Sequence, residues 1–232
     1  MAITRTAKGT ASLKTSGTTL TLASVAMTTG HLLVVSLAYD DQTLDSVTWG
    51  SQALTLGDAV LGAGVRTRLA WGTIVSGGTQ TITATWAASL VAKAFTASSY
   101  NSSVGGIVPT EDSNATNTGI GTSATTAALA AIVGGTESIL VGVVGTEGPS
   151  GDTAGTWSTP NTNGQRVGTT GNPAAGNVTC SEAYQLAPSA ASTPSLSKTG
   201  MTSRDWGAAL RAFYWAAPAT DTGGLLGSGF FG

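Results

Sequence analysis

Residues Leu32–Tyr39 read LLVVSLAY, eight positions with two hydroxyls, Ser36 and Tyr39, and no charge. A short, uninterrupted apolar run after Gly30 and before Asp40 reads as a buried β-strand rather than a helix. The surrounding texture agrees. Short runs of Val, Ile, Thr, Ala, Leu and Trp are cut by clusters of Gly, Ser, Asn and Thr. Residues 66–75 alternate, with Leu69, Trp71, Thr73 and Val75 on one side and Arg68 and Ala70 on the other. Ser76-Gly77-Gly78 turns the chain into 79–86 (TQTITATW), which alternates again, and a further strand follows at 90–96. Gly50-Ser51-Gln52 reads as a hairpin turn between 47–49 and 53–56. Residues 125–131 are alanine-rich, but their β-branched and glycine context favours strand. Period-2 patterning with frequent turn signals predicts an all-β, jelly-roll-like β-sandwich.

The same strand recurs. Gly30-His31-Leu32-Leu33-Val34-Val35-Ser36-Leu37 parallels Glu137-Ser138-Ile139-Leu140-Val141-Gly142-Val143-Val144. Trp49 then matches Trp157, Trp71 matches Tyr184, and Lys93-Ala94-Phe95 matches Arg211-Ala212-Phe213. Residues 1–100 and 118–217 thus read as two pseudo-repeats joined by 101–117. Each half is thin in large apolar residues, which favours one sandwich spanning 1–217 over two independent ones. Residues 218–232 form a different segment, a glycine-rich flexible tail carrying Leu225, Leu226, Phe230 and Phe231.

Composition narrows the function. The 232 residues are 41% hydrophobic and 9% charged, against about 25% charged in an average domain. Ten Lys+Arg against twelve Asp+Glu leave a net charge of −2 and no footprint for nucleic acid. One cysteine allows no intrachain disulfide and no Cys-based zinc cluster, and one histidine allows no multi-His metal site. No apolar run has the length of a membrane span, and the N-terminus lacks a signal-peptide core. A cytoplasmically made protein with no cofactor is expected.

The chemistry-bearing residues have bland readings that outweigh the sharp ones. His31 reads as a polar turn residue before it reads as a general base, because no serine sits in a nucleophile elbow. Cys180, in phase with Tyr184, reads as a small core hydrophobe before an intermolecular disulfide. Asp40 and Asp45 follow the first repeated strand, and Glu147 and Asp152 follow the second. Solvated loop acids come first for these four, a calcium site second and paired-carboxylate glycosidase chemistry third. The six tryptophans (Trp49, Trp71, Trp86, Trp157, Trp206, Trp215) read as core filling in a sandwich otherwise built of Ala, Val and Thr. A sugar-binding module would instead expose several on one face. The Asn-x-Ser/Thr matches at Asn101, Asn114 and Asn177 are what abundant Ser and Thr produce by chance. One copy of the apolar tail, docking alone, at best cancels its ordering entropy and should bind weakly or not at all. Many copies in a symmetric assembly hold through avidity, which makes Leu225, Leu226, Phe230 and Phe231 candidate assembly contacts.

The runs SVTWGSQALT at 46–55, TQTITATW at 79–86, SILVGVVGT at 138–146 and SRDWGAAL at 203–210 carry a resemblance. Together they resemble a group of Gly/Ser/Thr-rich β-sandwich proteins found among tailed-phage virion components and bacterial surface proteins. The resemblance spans about residues 10–215 and its motifs are structural. It implies a non-enzymatic structural protein of a virion, made in the host cytoplasm. Such a protein would decorate or stabilise the capsid, or belong to the collar or tail, with a capsid or tail lattice and further copies of itself as partners. The alternative is a carbohydrate-binding or adhesive receptor-binding module, and a hydrolase ranks third.

Overall fold

The computed structural model describes residues 3–103, 108–134, 137–173 and 176–216. They form an all-β structure, with sixteen strands in three antiparallel sheets. The first eight are β1 (Thr4–Met27), β2 (Leu32–Tyr39), β3 (Leu44–Trp49), β4 (Gln52–Ala53), β5 (Thr55–Leu56), β6 (Val60–Leu61), β7 (Arg66–Thr73) and β8 (Gly78–Asn101). The second eight are β9 (Thr110–Gly121), β10 (Ala124–Thr125), β11 (Ser138–Glu147), β12 (Ala154–Trp157), β13 (Thr162–Gly168), β14 (Val178–Leu186), β15 (Ser197–Met201) and β16 (Arg204–Tyr214).

The first unit is one sheet that folds over itself. The C-terminal half of β8 pairs with β2, and β2 pairs in turn with β7. The N-terminal half of β8 pairs with β3 instead, and β1 follows β8 along both halves. Register shifts in β1 between Lys14 and Thr19 mark the corner, where bulges let paired strands change layers together. The second unit repeats the order with the long strands broken. A five-stranded sheet runs β13-β14-β11-β16-β9, and a separate small sheet β10-β15-β12 lies over it.

Strand β2 is buried along its whole length because both its faces are covered. Leu32, Val34 and Ala38 face a central cluster, and Leu33, Val35, Leu37 and Tyr39 face a cluster within the first unit. The equivalent strand β11 divides likewise. Ile139, Val141 and Val143 join the central cluster, and Leu140 and Val144 join one within the second unit. The central cluster draws on both units, with Leu69 and Trp71 meeting Cys180, Phe213 and Trp215. The inner sheets of the two units therefore pack face to face, each covered on its far side by its own outer strands. Continuous apolar runs suit strands buried on both faces, whereas a one-sided sheet would need strict alternation.

Four local expectations are corrected. Residues 79–86 and 90–96 are not two strands but parts of the 24-residue β8. The turn after Trp49 is two residues, Gly50-Ser51, because Gln52 already pairs with Trp49. Gly50 takes φ +58°, the left-handed conformation that a two-residue hairpin needs. Residues 126–131 are not a strand. Thr126, Leu129 and Ile132 donate backbone bonds to Leu196, Pro194 and Ser192, a spaced pattern beside a segment whose proline has no N–H to return. Finally, Phe95 does not correspond to Phe213. Leu33 pairs with Gly72 and Leu140 with Gln185, while Leu32 pairs with Tyr100 and Ile139 with Phe213. By register Tyr100 and Phe213 are the matching pair, so the Lys-Ala-Phe and Arg-Ala-Phe likeness is out of phase.

Candidate functional site

Two polar constellations lie inside this apolar structure. The first sits between the units. Glu182 points from β14 into the central interface and is 1% exposed. A lone carboxylate buried there would cost several kcal/mol. Its oxygens instead accept from Arg5 Nε (3.2 Å), Thr96 Oγ1 (3.2 Å), Ser98 Oγ (3.0 Å) and Tyr100 Oη (3.1 Å). All four donors come from the first unit. Arg5 also lies over the Tyr184 ring, 4.6 Å from its centroid. Burial works against the Arg5 charge, but the adjacent Glu182 carboxylate prevails and holds its pKa above the ordinary value. Burial, with Glu182 alongside, raises the Tyr100 phenol well above its usual range, so it stays a donor.

Further contacts complete the interface. Gln165 in β13 donates to the Ala97 carbonyl at 2.6 Å, and the Cys180 thiol donates to the Ser36 carbonyl at 3.1 Å. Arg211 lies over Trp71, 4.3 Å from the ring centroid, and is paired with Glu111 and Asp58. Thr67 in β7 fits against Gly145 and Gly207, which are register partners in β11 and β16. A Cβ at Gly145 would lie 2.2 Å from Thr67 Oγ1, so glycine is what lets the two sheets meet here.

The second constellation is a recess between β14 and β15 in the second unit. Thr146, Asp152, Arg166, Ser181, Lys198 and Arg204 line it. Lys198 is 3% exposed and its ammonium lies 4.8 Å from the Trp157 ring centroid. Arg166 donates to the carbonyls of Ser150 (2.7 Å) and Asp152 (3.1 Å). Arg204 holds the Asp152 carboxylate through Nε at 2.8 Å and NH2 at 3.4 Å. Burial, reinforced by the Arg166 charge, lowers the Lys198 pKa to about 8.

The residues singled out in the sequence are scattered through the fold. Asp40 accepts the Ala92 backbone N–H at 2.8 Å, Asp45 is exposed on β3, and Asp152 is committed to Arg204. Glu147 is partly buried, and its pKa is raised by burial and by Asp205 nearby. Among the described residues, no three His, Cys, Asp or Glu side chains gather as a metal cluster. His31 closes a turn: its N–H donates to the Thr28 carbonyl, and its own carbonyl accepts from the Ile74 N–H. Cys180 is fully buried, and burial raises its thiol far above the ordinary range. All six tryptophans are buried, from 2% exposed for Trp86 to 9% for Trp71 and Trp157. Leu225, Leu226, Phe230 and Phe231 lie outside the described residues.

Glu182, Arg5, Arg166 and Lys198 are the residues that reading the sequence passes over. Glu182 left a signal, since it shares the phase of Cys180 and Tyr184 in the strand VTCSEAYQL, where an unpaired charge has no place. Comparison with models of known families, with curated proteins and with solved structures gives no match.

Proposed function

We propose that the chain is a non-enzymatic structural protein of a tailed-phage virion. In this reading it decorates or stabilises the capsid, or a collar or tail, as a homo-oligomer or on a repeated lattice. The observation that carries the reading is the Glu182 network. Buried polar chemistry is spent on joining two β units into one block, with a carboxylate of one unit held by four side chains of the other. A stiff body with loops and strand edges at its surface suits a repeated shell position. Among the described residues the edge strand β9 pairs only with β16. Exposed Leu61, Val75, Val108 and Ile120 offer single apolar groups around the surface. The resemblance to virion β-sandwich proteins points the same way, as an analogy of fold.

The alternative, a carbohydrate-binding module, has one observation in its favour. A surface recess is lined by Trp49, Ser51, Gln52, Val75, Ser76, Gly77 and Gln80, which offers amide and hydroxyl groups beside an indole. Trp49, however, is 4% exposed and its Nε1 donates to the Val25 carbonyl, so its face is not a stacking platform. Sedimentation velocity over a wide concentration range, run beside a glycan-array screen, separates the two. Species larger than the monomer with no glycan bound support the structural reading. A persistent monomer that binds a defined glycan overturns it.

A further inference from the structure

We infer that the recess between β14 and β15 is a binding site for one small inorganic anion of the chloride class, held by the Lys198 ammonium with the guanidiniums of Arg166 and Arg204. Four observations support the site, and none depends on the virion reading.

The first is the state of Lys198. Only 3% of the residue is exposed, no hydrogen bond joins its ammonium to an acceptor among the described residues, and the ammonium lies against the Trp157 face with Arg166 and Cys180 as its charge neighbours. The other buried lysine shows what a satisfied one looks like. Lys93 donates to three carbonyls, those of Thr15 (2.9 Å), Gly17 (3.2 Å) and Leu90 (3.0 Å). Buried polar groups are almost always partnered, and an ammonium is the costliest to leave alone.

The second is charge. Three cations line the recess against one carboxylate, and Asp152 is already held by Arg204. Glu147 and Asp205 are not part of the lining, and Glu147 acts on Arg204 through its charge. Among the described residues Arg166 and Lys198 form no ion pair with a carboxylate, although the Asp152 charge acts on Arg166. They lie close enough for the Arg166 charge to depress the lysine.

The third is rigidity. Arg166 is fixed by two backbone carbonyls and Arg204 by a two-point contact with Asp152. The guanidiniums are thus already in place before any ligand arrives. Ser181 and Thr146 add hydroxyl donors to the lining. The fourth is size. The recess has room for about one water-sized group, so a chloride must replace the water there and an organic ligand has no space.

Thermal unfolding of the full chain at pH 7 in sodium chloride and in sodium gluconate, at matched ionic strength, tests the site. Chloride at a few times its dissociation constant should raise Tm by about 2–4 °C over gluconate. The rise should vanish in Lys198→Met and fade by pH 10, where the lysine is neutral. Chloride-35 NMR of the wild-type chain supplies a second readout that needs no variant. It should show excess line broadening that disappears on unfolding in urea. Equal Tm in the two salts with no excess broadening means that the recess holds water alone and overturns the inference. A chloride effect that persists in Lys198→Met places the ion elsewhere and overturns it too.

Discussion

Tyr100 in the first unit donates its phenol to Glu182 in the second across 3.1 Å, in an interface where both side chains are at most 1% exposed. The pair is one arm of a network in which a buried charge is tolerable only because four donors surround it. Tyr100→Phe should destabilise the protein by about 1.5–3 kcal/mol, the range for a hydrogen bond to a charged group. Glu182→Ala strands Arg5 as well and should cost about 3–5 kcal/mol. Urea unfolding measures both. A cost below that of an ordinary surface change would show that the network does not hold the units together.

Lys198 predicts a pH dependence of opposite sense to that of a paired lysine. Its folded pKa, about 8, lies below the unfolded value of 10.5. Between these values the unfolded chain binds the extra proton, so stability rises with pH. The penalty for the buried charge is present in full below pH 8 and gone above pH 10.5. In chloride-free buffer at pH 7, Lys198→Met should therefore be more stable than wild type by about 1–3 kcal/mol, and the gap should close by pH 10.5. Urea midpoints across that range check the sign.

Gly145 and Thr67 predict a coupled pair. Gly145→Ala drives a methyl into Thr67 and should cost about 1–3 kcal/mol by overpacking. The Thr67 hydroxyl is buried with no partner among the described residues, so Thr67→Ala removes an atom that makes no hydrogen bond. Because the new methyl also lies 2.9 Å from the Ala38 Cβ, the double variant should recover only part of the loss. A double-mutant cycle with no coupling energy would contradict this close approach.

The tryptophans predict an optical result. With every indole at most 9% exposed, iodide should quench native fluorescence weakly and unfolded fluorescence strongly. No blue shift should follow on adding simple sugars. Strong native quenching would revive the carbohydrate-binding reading.

Strand β2 was legible in the sequence to its first and last residue, because an apolar run with no polar face admits few other readings. The continuity of β8 was not. Its middle, Ala87-Ala88-Ser89, falls between two runs that read as separate strands, and only the partner strand β1 carries it around the corner. The burial of the tryptophans is legible from strand alternation, repeat equivalence and the volume that a sandwich of small residues must fill. Glu182 and Lys198 escaped because a charged residue in a strand is read as solvent-facing unless its partners are known. Those partners lie up to 177 positions away, for Arg5. The repeat offset misled at Phe95 because residue likeness competes with register, and only pairing decides between them.

Solution mass by light scattering, comparing the full chain with one stopped at Ala217, tests the structural reading most directly. A defined oligomer that falls to the monomer when residues 218–232 are removed is the predicted result. It would make Leu225, Leu226, Phe230 and Phe231 the joint. A monomer in both forms, at every concentration reached, would contradict assembly through this tail.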